Sequence, residues 1–196
     1  MNAYQNFLDF FSMHNKERLD GLNEIYFNPM TPDERKMAFN YLLKKVMAGG
    51  TEESVNGLFL ADEAQAGIEI KKLLENEYLR EDAQISAAWN LYRSTSDPGL
   101  FKFFIAAISS SDERIRAKAA YYIPAEKSPE VISALKGMIR TETDLLASIN
   151  ATNKILECYG ITRDSVTKEE FSKLYKGLRN DEQRIREGTL KKLDFL

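Results

Sequence analysis

An all-α fold of stacked helical hairpins is predicted by three features of the sequence. One side-chain pattern returns four times, helix starts are spelled out ahead of the apolar stretches, and apolar spacing is helical rather than alternating. The pattern is an apolar or small residue, a polar one, two variable positions, a packing pair and a later apolar residue. Its copies are Ala83-Gln84 with Ala87-Ala88 and Leu91, Ile115-Arg116 with Ala119-Ala120 and Ile123, Ala147-Ser148 with Ala151-Thr152 and Ile155, and Ile185-Arg186 with Thr189-Leu190 and Leu193. Counted from the polar residue, the steps run 84 to 116, 116 to 148 and 148 to 186, two equal and a third slightly longer. That period belongs to helical-hairpin repeats, in which one unit cannot bury its apolar face alone and neighbours must stack.

Two apolar segments open the chain, residues 3–13 (Tyr4, Phe7, Leu8, Phe10, Phe11) and 16–27 (Leu19, Leu22, Ile25, Tyr26, Phe27). Thr31-Pro32-Asp33-Glu34 then supplies a capping hydroxyl, a proline at the first helical position and a carboxylate that reaches back to the cap, which starts a helix over 32–47. Lys36 aligns that helix with the second helices of the repeat, and Gly49-Gly50 with the segment 51–59 reads as an insertion after it. A hairpin follows from 63–76 (Ile68, Ile70, Leu73, Leu74) and 80–94 (Ile85, Ala88, Leu91, Tyr92). Asp97-Pro98 and Ser128-Pro129 repeat the cap-then-proline device, Ser111-Asp112-Glu113 and Thr141 to Asp144 open helices, and Thr167 to Glu170 and Asn180 to Gln183 read as capping boxes. Three more hairpins result, over 97–123, 128–158 and 167–195, their first helices striped by Leu100, Phe103, Phe104 and Ile108, by Val131, Leu135, Met138 and Ile139, and by Phe171, Leu174, Tyr175 and Leu178. The chain therefore reads as one domain, 1–196: an irregular aromatic-rich cap over 1–60, then regular repeats over 61–196. A cap of that kind covers an end no neighbour protects.

With 196 residues, 43% of them hydrophobic, the chain is long enough to bury a substantial core. Its net charge of −3 lacks the basic excess that non-specific nucleic-acid binding requires. A single cysteine, Cys158, excludes an intramolecular disulfide and a cysteine-rich metal cage. The first residues carry no basic-then-apolar signal and no stretch reaches about 18 continuous apolar residues, so the expectation is a soluble cytoplasmic protein.

The stretch Ser111-Asp112-Glu113-Arg114-Ile115-Arg116-Ala117-Lys118-Ala119-Ala120 resembles the second helix of a HEAT repeat, with an Asp ahead of a Val/Ile-Arg pair and small residues after it. Asn180 to Arg186 is similar, with one extra residue between the acid and the Ile-Arg pair. Gln84 and Ser148 stand where that Arg would be, so those units match in packing alone. The resemblance covers residues 60–196. It implies a right-handed α-α superhelix, an armadillo-like solenoid of about five hairpins, whose second helices line the inner curve. Such solenoids hold partners on extended concave surfaces.

Candidate chemistry is sparse. His14, the sole histidine, lies far along the chain from Cys158, so no nucleophile-base pair is read, and one His with one Cys leaves a metal site short of ligands. Gly49-Gly50 lacks the residues of a phosphate loop. The pairs Glu52-Glu53, Asp62-Glu63 and Glu169-Glu170 each fall in a first helical turn, where the macrodipole favours carboxylates. Arg116 and Arg186 read as partners for acids of neighbouring repeats. The sequon Asn150-Ala151-Thr152 falls inside a helix. No catalytic residue, metal site or cofactor is expected.

Five residues beyond each register mark stands a more variable column: Tyr41, Trp89, Tyr121, Asn153 and Lys191. Tyr and Trp carry large contact area with few rotors, which suits recognition. Arg93 and Lys118 flank them with Ser86, Asn90, Asn150 and Lys154. Partner anchoring and packing between repeats are both open for Trp89 and Tyr121. The expectation is a non-catalytic, protein-binding solenoid. Small acidic helical-repeat proteins resemble immunity or antitoxin proteins that mask a cognate, often basic, toxin. The alternatives are an adaptor or assembly scaffold, and a nucleic-acid-binding protein resembling the HEAT-like DNA glycosylases; a chromophore lyase of HEAT-like type would need a cofactor pocket.

Overall fold

The computed structural model describes residues 2–13 and 21–195, and among them twelve α-helices and no strand. Two compact units divide at Leu100: Met1–Leu100 and Phe101–Leu196.

In the first unit the helices are α1 (Ala3–Phe10), α2 (Glu24–Phe27), α3 (Pro32–Met47), α4 (Glu52–Ala61), α5 (Glu63–Glu75) and α6 (Glu81–Thr95). Local signals set the starts of α3 and α5 as the sequence predicts. Thr31 and Glu34 form a reciprocal capping box ahead of α3, and Asp62 caps α5 through the Gln65 amide. Gly49 and Gly50, at φ +106° and +69°, reverse the chain after α3 in a backbone conformation that a side chain would strain. Phe7, Phe10, Phe27, Phe39, Leu42 and Leu58 are fully buried in the core of this unit.

Here the structure corrects the register. Residues 51–59 are not an insertion between repeats: Thr51 and Ser54 form a capping box, and α4 runs on to Ala61 with Glu52 and Glu53 in its first turn, where the sequence places them. Helix α4 pairs with α3 and packs on α6, so α3 is the first helix of its hairpin and α4 the second. The buried Ser54-Val55 pair and Leu58 occupy the places of Ala87-Ala88 and Leu91, which makes Thr51 the register mark. The step from Thr51 to Gln84 then nearly equals those that follow. Because α4 touches both α3 and α6, residues on either side of 60 share one core. Gly57 lets α4 approach closely, since a Cβ there would stand 2.7 Å from Leu22 Cδ2 and 3.0 Å from Leu42 Cδ1.

The second unit holds α7 (Phe101–Ile108), α8 (Glu113–Tyr122), α9 (Pro129–Thr141), α10 (Leu145–Cys158), α11 (Lys168–Leu178) and α12 (Gln183–Leu193). Helices α7 and α8 pair, as do α9 and α10; α7 packs on α9, and α8 packs on α10. First helix against first and second against second is the stacking the repeat predicts. Phe104, Ile123, Leu135 and Ile155 are fully buried at its centre. The third hairpin is set differently, with α11 against α10 and α12 against α9. Two ion pairs draw α12 there, Arg140 with Glu187 at 2.7 Å and Lys136 with Asp194. The predicted capping box at Asn180 to Gln183 is also replaced. Asn180 Oδ1 accepts the Glu182 amide at 2.9 Å, and α12 begins at Gln183 without a side-chain cap.

Candidate functional site

Each second helix presents an outward row that its packing pair fixes. On α8 the buried residues Ala117, Ala119 and Ala120 turn Arg114, Lys118 and Tyr121 outward, and on α10 the buried Ala147, Ala151 and Thr152 do the same for Leu146, Asn150 and Asn153. The spacing i, i+4, i+7 keeps each row on one helical stripe. Asn150 ties the two rows together, donating from Nδ2 to the Ala117 carbonyl of the neighbouring helix at 2.9 Å.

Tyr121 is 62% exposed. Its ring stands edge-on to Tyr122, centroids 5.0 Å apart and planes at 88°, so the phenol is held in place while one face stays open to solvent. Lys118 and Asn153 are half-buried beside it in their rows. Leu145 and Leu146, 65% and 58% exposed, open α10. Sequence reasoning missed Leu146; the signal was an apolar residue in the outward row, where the preceding repeat has Arg114.

In the first unit the row on α6 is reduced to Trp89 and Arg93, because Ser86, at the place of Lys118, is buried at 2% exposure. Trp89 is half-buried and Arg93 is exposed in the last turn. Asn90 Nδ2 donates to Asn56 Oδ1 and to the Ser86 carbonyl, both at 2.8 Å, which joins α6 to α4. Asn56, five residues after Thr51, takes the column place that the sequence assigned to Tyr41.

Tyr41 and Lys191 leave the column. Tyr41 lies on the first helix α3, its ring edge-on to Phe7 at 5.7 Å and tilted against Phe11 at 5.3 Å, with Lys45 Nζ 5.2 Å from its centroid. It belongs to the aromatic core of the N-terminal helices. Lys191 is exposed in the last turn of α12, and that helix packs on α9 rather than along the row of Tyr121 and Asn153.

Arg116 takes the structural part expected of it, reaching the next hairpin. Its Nε and Nη2 donate to the Glu142 carboxylate at 2.7 and 2.9 Å, and its Nη1 to the Ser110 and Ser111 carbonyls at 2.9 and 3.1 Å. These bonds hold the Glu142 carboxyl below the usual carboxylate range, with help from the Asp144 and Thr143 amides. The pair borders a cleft of about 570 Å³ between α7 and α9, whose walls include Ile105, Ile108, Ala134 and Met138. Arg186, in contrast, makes no such bond: its Nε is buried without a partner among the described residues.

Other titratable groups are set by packing. Burial pushes the Cys158 thiol up to about 11, which keeps it protonated and unreactive at neutral pH. Burial, then the hydrogen bond to Asp194 at 2.9 Å, raises the Tyr159 phenol to about 12. Asp194 is held low by Lys136 and Tyr159. His14 lies outside the described residues, and among those described no group of three His, Cys, Asp or Glu residues is arranged to hold a metal. No helix among them is long and apolar enough to cross a membrane. The outward rows of α8 and α10 carry amide, phenol, lysine and leucine side chains, groups that can hydrogen-bond and make apolar contact. No protein-family model, characterised protein or solved structure compared with the chain matches it.

Proposed function

We propose that this chain is a non-catalytic, HEAT-like helical-repeat protein of the cytoplasm that binds another protein through the outward rows of its second helices. The observation that carries this reading is Tyr121, an exposed aromatic braced by Tyr122 on α8, a helix that packs on α10 with its row of Leu146, Asn150 and Asn153. Pre-positioned aromatics flanked by adaptable amides are the composition of binding hot spots. The most concrete form of the proposal is an immunity or antitoxin protein that masks a cognate toxin. An adaptor would use the same surface.

The test is co-expression with the protein encoded in the adjoining reading frame. A stable complex and rescue of growth support the toxin-masking form. A complex without any growth effect favours the adaptor form. Tight binding to duplex DNA, falling steeply with added salt, would replace both with the nucleic-acid reading.

A further inference from the structure

The third hairpin meets the rest of the second unit across a thin apolar seam. Of α11 only Leu178 is buried, and of α12 only Thr189, Leu190 and Leu193, while α10 alone buries Ala147, Ala151, Thr152, Ile155, Leu156 and Cys158. Helices α11 and α12 pack on each other more extensively than on α10 or α9. Their mutual fit is tight, since a Cβ on Gly177 of α11 would collide with Thr189 of α12.

What ties the hairpin down is polar. Arg140 of α9 grips Glu187 at 2.7 and 3.1 Å, Lys136 of α9 pairs with Asp194, and Tyr159 Oη at the end of α10 donates to Asp194 at 2.9 Å. The side chains of Arg140, Glu187 and Asp194 are 43%, 30% and 49% exposed, so dissolved salt screens them. The pair inside the stack differs, because Arg116 and Glu142 are only 21% and 3% exposed. Closure also carries a cost within the hairpin, where Arg179 Nε and Arg186 Nε are buried without an acceptor among the described residues. A donor withdrawn from water and left unpaired weakens the state that buries it, and opening returns both to water.

We propose that the third hairpin is a salt-sensitive strap that opens as one unit while α7 to α10 stay folded, uncovering the sides of α9 and α10 that it covers. Each of its helices has 11 residues, too few to stay helical alone in water, so release from α9 and α10 and loss of the two helices are a single event. The link to α10 runs through Gly160, at φ +70°, and the exposed residues 162–165, a segment that lets the strap swing away without pulling on α10. This goes beyond the protein-binding reading and does not depend on it.

Amide hydrogen exchange of the full-length protein, followed residue by residue by NMR, tests the strap at about 0.1 M and about 1 M sodium chloride, between which the screening length falls from about 10 Å to about 3 Å. The expected result is that amides of α11 and α12 exchange as one group, at least about tenfold faster than the slowest of α8 and α10, and that the gap widens in high salt. Replacing Lys136 and Arg140 together with Gln should speed α11 and α12 by a further threefold to tenfold, roughly, and leave α8 and α10 unchanged. Their protection then shows that the variant is folded. Equal protection of all four helices at both salt concentrations would overturn the proposal. So would a variant that speeds exchange alike throughout the second unit, since the hairpin would then open only with the whole.

Discussion

Arg116 and Glu142 join two successive hairpins through a two-pronged ion pair, Nε to Oε2 at 2.7 Å and Nη2 to Oε1 at 2.9 Å. The same guanidinium holds the carbonyls of Ser110 and Ser111, and Glu142 Oε1 also accepts the amides of Thr143 and Asp144 at 3.0 and 2.9 Å. One pair therefore fixes the exit of α7 and the entry of α10 together. Replacing Arg116 with Gln leaves the nearly buried carboxylate without its main donors, and should lower stability by about 2–3 kcal/mol in urea unfolding. A change below about 0.5 kcal/mol would mean the pair is decorative.

That pair also predicts an acid limb. Glu142 and Asp194 have pKa values lowered in the fold, by Arg116 and by Lys136 with Tyr159 respectively. A lowered native pKa adds stability that is present above the unfolded value and is lost as pH falls through the native one. Melting temperature should therefore drop as pH falls below the usual carboxylate range, and the drop should be shallower in Arg116→Gln. An unchanged slope in that variant would assign the acid limb to other groups.

Two glycines of the third hairpin should respond oppositely to alanine. A Cβ on Gly177 of α11 would collide with Thr189 Oγ1 of α12, whereas at Gly188 of α12 nothing stands within 4 Å. Gly188→Ala should gain up to about 1 kcal/mol from helix propensity alone. Gly177→Ala should lose about 1–3 kcal/mol through overpacking. Chemical denaturation of the two variants beside the parent measures both.

Cys158 should be silent toward thiol reagents in the folded protein. It is 6% exposed and its thiol is raised by burial to about 11. At pH 8 its labelling should be at least tenfold slower than in urea, where the chain is open. A raised native pKa makes its stabilising contribution complete below the unfolded value of 9.0 and lost as pH climbs through about 11, so stability should decline over that alkaline range.

Where a fold signal is local, the sequence carries it. The start of helix α3 could be read to the residue because Thr31, Pro32 and Glu34 act within one turn. The place of α4 in the repeat was obscured because its packing pair is Ser54-Val55, with a polar residue where other units have Ala, and its closest approach is made by Gly57, which stands against Leu22 and Leu42. The placement of α12 depends on Arg140 with Glu187 and Lys136 with Asp194, pairs between distant parts of the chain that no repeat pattern encodes. That is why Lys191 left the column while Tyr121 and Asn153 stayed on packed neighbours. Tyr41 left it for another reason, since its ring is covered by Phe7 and Phe11 from α1.

The central claim is that the outward rows of the second helices bind a protein, and it is tested most directly by calorimetric titration of the purified chain with the product of the adjoining reading frame, beside Tyr121→Ala and Trp89→Ala. Tyr121 is exposed, so its variant should fold as the parent does, within about 0.5 kcal/mol. The account predicts a complex weakened by about 2 kcal/mol, roughly 30-fold in Kd, when Tyr121 is truncated. A complex that forms with unchanged affinity in both variants would contradict it.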